Sequence, residues 1–156
     1  MRNYLPCLYA FVASIAFSYI FEMRRWRYIL CAGLAGAVSW LVYLLLPGFS
    51  EVARCFAATI VVAFLAEIFA RIFKIPATVF LVIGIVPLVP GGGLYYTMES
   101  LINGDLAMFA RKGLQAAEDA GAIAVGCSLV SSGMRLLTTG LRMRRGRLAE
   151  RDRKAS

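Results

Sequence analysis

Apolar residues in this chain run together instead of alternating with polar ones. Five stretches stand out, at residues 5–21, 28–46, 52–70, 76–102 and 120–137. Each is close to or longer than the roughly 20 helical residues that cross the hydrocarbon core of a bilayer. A soluble domain would mix polar positions into every helix and strand. The pattern therefore predicts an all-α, polytopic membrane protein with five transmembrane helices. Residues 1–140 form one transmembrane helical domain and residues 141–156 a basic cytoplasmic tail. Composition agrees, with 60% of the 156 residues hydrophobic and a mean hydropathy of +0.72.

The fourth stretch spells Pro87-Leu88-Val89-Pro90-Gly91-Gly92-Gly93-Leu94-Tyr95-Tyr96, which a continuous helix cannot hold. Pro87 and Pro90 have no N–H to donate, and Gly91, Gly92 and Gly93 add freedom that a helix must freeze out. The fourth span is thus predicted to break between Pro87 and Gly93. Unpaired backbone is costly in lipid, so such a break survives only inside protein or beside a water-filled cavity. Broken helices at membrane depth are pointers to a transport site. At the helical rise, residues 77–90 cover roughly 20 Å and residues 94–102 roughly 13 Å more. The glycines then lie past the middle of the membrane, nearer its outer face. A half-helix starting at Leu94 would aim free N–H groups and the positive end of its dipole at the gap, a seat for a carboxylate. Tyr95 and Tyr96 add hydroxyls at this level. The reading without function is a simple kink or an external hairpin.

Charge placement adds orientation. The formal charge is +8. Five spans put 13 of the 17 Lys and Arg on one side, among them Arg24, Arg25, Arg27, Arg71, Lys74, Arg135 and the tail. Only Arg2, Arg54, Arg111 and Lys112 fall on the other. By the positive-inside rule the N-terminus is outside and the tail cytoplasmic, which needs an odd number of spans. The tail reads as an anchor touching anionic lipid, not as a nucleic-acid arm. The first stretch reads as a retained helix, since only Arg2 precedes it and no small-x-small cleavage site ends it.

Candidate chemistry is sparse. Histidine is absent, which removes His-based acid–base catalysis and His-ligated metals or haem. No Gly-rich P-loop precedes a helix. Neither an enzyme nor a cofactor or metal is expected. Cys7, Cys31, Cys55 and Cys127 are widely spaced within apolar spans and form no CxxC pair, so they read as small apolar residues.

Small residues recur at helical spacing: Ala10, Ser14 and Ser18 in the first span, Ala32 and Gly36, Gly33 and Ala37, Ala35 and Ser39 in the second, and Ala122 and Gly126 beside Ala124, Ser128 and Ser132 in the fifth. Such faces let helices approach closely. They serve the chain's own bundle, and their number also suits a partner subunit. Trp26 and Tyr28 sit beside the arginines as interfacial aromatics, with Trp40 and Tyr43 in the opposite belt. Pro47-Gly48 ends the second helix, and Ser50 is placed to cap the third. Glu67 and Arg71 are four residues apart, hence on one face. They are either an interfacial ion pair or a coupling site in which Glu67 holds a proton or a substrate ammonium. Asn103-Gly104-Asp105 forms a turn, with Asp105 placed to cap a helix from Leu106 and counted with Glu67 and Arg71 among the coupling or ion-pair candidates. Residues 106–119 either lie on the outer surface or begin the fifth helix early. Glu118 and Asp119 are expected to be solvated outside the membrane, the alternative being a place on the transport pathway.

Ala66-Glu67, Ala70-Arg71 and Lys74-Ile75-Pro76-Ala77-Thr78, followed by Val86-Pro87-Leu88-Val89-Pro90-Gly91-Gly92-Gly93-Leu94-Tyr95 and by Asn103-Gly104-Asp105, resemble the signature of the threonine/serine exporter family. The resemblance covers essentially the whole chain. It implies a subunit of a secondary exporter in a bacterial inner membrane, moving threonine, serine or a related small metabolite such as a dicarboxylate. It also implies a homologous membrane partner with a soluble N-terminal part, this chain being similar to the C-terminal half of complete members. The rivals are a non-transport assembly subunit of another membrane complex and a membrane-embedded enzyme limited to Ser, Cys and carboxylate chemistry.

Overall fold

The computed structural model describes residues 5–155, with side chains as far as Thr138, and every element in that range is helical. Six α-helices follow one another: α1 (Leu5–Ile20), α2 (Trp26–Leu45), α3 (Glu51–Phe73), α4 (Ala77–Ile85), α5 (Gly91–Ile102) and α6 (Leu106–Ala155). A 3-10 turn, Val86–Leu88, joins α4 to α5. Arg2 and the side chains of the basic tail, with its expected lipid contact, lie outside the described residues.

Local chemistry sets the helix ends. Ser50 Oγ accepts from the Ala53 N–H at 3.4 Å and caps α3. At the other end Lys74 turns left-handed at φ 56° and its N–H donates to the Ala70 carbonyl, after which Pro76 prevents continuation. Asp105 Oδ1 accepts from the Met108 N–H at 2.9 Å and starts α6. That helix runs unbroken from Leu106, so residues 106–119 extend the last span instead of lying on the surface.

By length and apolarity α2, α3 and the Leu106–Thr138 part of α6 can each cross a membrane. The segments Ala77–Leu88 and Gly91–Ile102 qualify as one broken span, bent by 52°. Three or four crossings are supported in this way; α1, apolar but only 16 residues long, is the shorter element on which a fifth depends. Large apolar side chains such as Tyr9, Leu34, Phe64 and Leu129 point outward, as a lipid-facing surface requires and an aqueous one rarely tolerates.

The small-residue stripes do the packing. Ala10, Ser14 and Ser18 are buried on α1, and Ala32, Gly33, Ala35, Gly36 and Ser39 on α2. A Cβ on Gly36 would fall 2.9 Å from Ser14 Cβ and 3.4 Å from Pro87 Cγ, so this glycine admits both neighbours. Ser39 Oγ donates to Gly36 O at 2.7 Å and lies 3.2 Å from Gly84 O, tying α2 to α4. One core cluster gathers Met23, Ile29, Ala32, Ala66, Phe80 and Ile83, with the rings of Tyr28, Phe69 and Phe73 around Phe80. A second, formed by Ala58, Leu88 and Ile123, closes the bundle beneath the break.

Candidate functional site

The break forms because two prolines interrupt the backbone in different ways. Pro87 enters the 3-10 turn near its start, where its missing N–H is harmless. Pro90 forces Val89 out of the helical region, to ψ 129°. Pro90 itself sits at φ −75° and ψ 55° while the Gly91 N–H donates to Val89 O at 2.7 Å, an inverse γ-turn. The next helix therefore starts at Gly91, not at Leu94. Leu94 already donates to Pro90 O at 3.0 Å. The exposed amides at this helix end are those of Gly92 and Gly93, which make no hydrogen bond among the described residues.

Those amides border a cavity of about 390 Å³ between α2, α3, α6 and the break. Pro87, Pro90, Gly91, Gly92, Gly93 and Tyr96 line it. Leu94 and Tyr95 do not: they fall on the other face of the helix from Gly92, Gly93 and Tyr96 and are 54% and 66% exposed. The three glycines also differ in what they do. A Cβ on Gly91 or Gly92 would meet nothing within 4 Å, whereas one on Gly93 would lie 3.3 Å from Ala116 Cβ. Gly91 and Gly92 face open space; Gly93 brings α5 against α6.

The far wall carries residues that motif reading did not select. Trp40 and Tyr43 stack with ring centroids 5.2 Å apart and face the cavity. Tyr43 Oη lies 3.3 Å from Glu51 Oε1, and Gln115 Nε2 donates to Glu51 Oε2 at 2.7 Å. Arg54 Nε donates to Tyr43 O at 3.0 Å with its guanidinium 4.0 Å from the Tyr43 ring centroid, a cation–π contact. Lys112 Nζ stands 5.9 Å from the Tyr96 ring centroid. Cys55 and Ala116 complete this side.

Asp119 is the clearest departure from expectation. It was expected in solvent beside Glu118, yet it lines the cavity at 5% exposure while Glu118 remains exposed. Its Oδ1 is buried without a hydrogen-bond partner, and so is Nε1 of Trp40. A signal for it exists in the sequence. Ala116, Asp119, Ala122, Ile123 and Gly126 follow the three- and four-residue spacing of one helix face, and the other four are small or apolar. A carboxylate on a packing face is a functional candidate in a membrane span.

Glu67 and Arg71 lie elsewhere. Their Oε2 and Nε are 4.0 Å apart, at 21% and 46% side-chain exposure, a loose pair. Glu67 is roughly 24 Å along α3 from Glu51 at the helical rise. It borders a second cavity of about 460 Å³ that Thr78, Ser128, Ser132 and Arg135 share. Asp105 is exposed, its Oδ1 occupied in capping α6. The sequence candidates thus separate into a glycine-edged cavity, a distant cavity holding Glu67, and a helix cap.

At the break, donors and acceptors are arranged in two banks. The Gly92 and Gly93 amides, the start of α5 and Lys112 favour an anion. Glu51 and Asp119 favour a cation. No curated protein and no solved structure matches the chain significantly. The family profile described as "Threonine/Serine exporter, ThrE" matches residues 6–132, a stretch holding the whole break and every residue of both cavities except Arg135. The chain is a member of the threonine/serine exporter family, a family of membrane transporters.

Proposed function

We propose that this chain is one membrane half of a secondary exporter and that the cavity at the break binds the carboxylate of its cargo. The observation that carries this reading is the pair of unpaired glycine amides at the start of α5, opening on a 390 Å³ space. A carboxylate there receives two backbone donors, the positive end of the helix dipole and the Lys112 ammonium. Threonine or serine fits the family; a small dicarboxylate shares the anionic group.

In this reading α1 and the bent pair each cross once, giving five spans in a bacterial inner membrane. The N-terminus is outside and the tail inside. The glycine cavity then faces outward, and the Glu67 cavity lies at the cytoplasmic end of the same α3–α6 seam. Glu67 receives a coupling proton or the incoming cargo there. Alternating access comes from rocking about the 52° bend. A homologous subunit with a soluble N-terminal part covers the open side of α6. That helix supports the partner: its spanning window is 11% buried, against 33% for α2 and for α3.

Efflux of labelled threonine, serine and succinate from proteoliposomes, with and without the partner, tests the reading. In Gly92→Leu the new side chain meets no wall atom near its Cβ and extends into the cavity. Insertion should persist and efflux should cease. Undiminished efflux by this variant overturns the assignment.

A further inference from the structure

We propose that Asp119, assisted by Glu51, holds a small cation in the cavity at the break: the primary ammonium of the cargo or an alkali ion. The inference deepens the reading of that cavity as a transport site and rests on it.

The cavity's acidic and basic groups are Glu51, Asp119 and Lys112. Glu51 is already engaged at both oxygens, by Tyr43 and by Gln115. Arg54, nearby, is committed to the carbonyl and ring of Tyr43. Lys112 makes no salt bridge among the described residues and stands over Tyr96 at the glycine end. Asp119 is left with a buried oxygen that no donor reaches. An unpaired buried carboxylate is among the most costly groups a fold can carry. A second carboxylate in the same cavity adds to the cost, and Lys112 is within salt-bridge reach of neither.

The donors of the α5 end and the acceptor on α6 face one space. A molecule with a carboxylate and an ammonium satisfies both banks at once. A dicarboxylate satisfies the first and sets its second charge against Asp119 and Glu51. An alkali ion at Asp119 removes that conflict. The shared chemistry is a compact cation beside the carboxylate seat.

Thermal melting and calorimetry on the purified full-length chain in nanodiscs separate these sources. Threonine methyl ester carries the ammonium without the carboxylate, N-acetylthreonine the reverse, and sodium chloride is compared with choline chloride. The wild type should respond to the ester or to sodium. Asp119→Asn should weaken that response at least about tenfold, the loss of one charge-assisted contact, with N-acetylthreonine binding retained. Asp119→Glu should restore part of it. Response to the ester alone identifies an ammonium, and response to sodium alone an alkali ion. The proposal is overturned if the wild type binds N-acetylthreonine but neither cation, or if Asp119→Asn binds cations as the wild type does. Cation binding without N-acetylthreonine binding sinks the glycine seat and leaves Asp119 standing; binding of no probe sinks both. Should Asp119→Asn lose its helical spectrum or monodisperse elution, Glu51→Gln gives the same comparison, and its unaltered cation affinity would count as refutation.

Discussion

Gln115 Nε2 and Glu51 Oε2 meet at 2.7 Å, joining the first turn of α3 to α6 across the mouth of the cavity. The contact bridges 64 positions of sequence, and Gln115 lies on α6 between Lys112 and Asp119, which line the same cavity. Because the pair is exposed, its worth is that of an ordinary hydrogen bond. Gln115→Leu should destabilise the protein by about 1 kcal/mol. Gln115→Glu, which sets two carboxylates together, should lower the melting temperature further. Melting in one detergent, at low and at high salt, checks the order; only the Glu variant should recover as salt rises.

Gly84 is the tightest crossing of α4 with α3. A Cβ there would lie 2.4 Å from Cγ2 of Val62, which is fully buried. Gly84→Val should cost about 1–3 kcal/mol by overpacking and strain the Ser39 contact to the Gly84 carbonyl. Adding Val62→Ala should return part of the loss. A double-mutant cycle measured by unfolding supplies the test, and strict additivity would show that the two residues do not share the crossing.

Neighbouring glycines at the break should behave differently. Gly93 packs against Ala116 with no room for a branched side chain, while Gly91 faces open space. Gly93→Val should destabilise by about 1–3 kcal/mol by parting α5 from α6. Gly91→Ala should leave the melting temperature within a few degrees. Equal losses at both positions would mean that the backbone at the break, not the approach of α6, demands glycine.

Asp105 is tested by replacing its cap. Asp105→Ala should cost about 0.5–2 kcal/mol, and Asp105→Ser or Asp105→Asn should restore most of it. Hydrogen exchange over the first turn of α6 localises the change. Failure of both polar replacements would mean that its charge, not its hydrogen bond to Met108, is what matters.

Much of this architecture is written locally. Ser50 and Asp105 precede helices and cap them; Lys74 and Pro76 end one; Pro90 stops α4 from running into α5. The Ala10–Ser14–Ser18 face was readable because small residues at fourfold spacing are useful only against another helix. On α6 the same rule divides: Ala122 and Gly126 are buried, whereas Ala124 is exposed and Ser128 borders the Glu67 cavity. Periodicity finds a face but does not say which of two small faces is covered.

The site was legible on one side only. Proline and glycine act on their own backbone, so the break between Pro87 and Gly93 follows from the order of residues alone. The start of α5 at Gly91 was misjudged because Pro90 makes a γ-turn, after which three glycines can all be helical. The opposite bank could not be read in that way. Glu51, Lys112, Gln115 and Asp119 have no motif and no shared spacing between α3 and α6, and they converge because those helices pack together, as closely as Thr59 against Gly126. Glu67, which its spacing with Arg71 singles out in the sequence, sits further along α3 and in another cavity. Order along the chain determined where backbone donors go unsatisfied, since that depends on each residue and its neighbours. Helix packing alone decided which side chains answer them, because it brings together groups far apart in the chain.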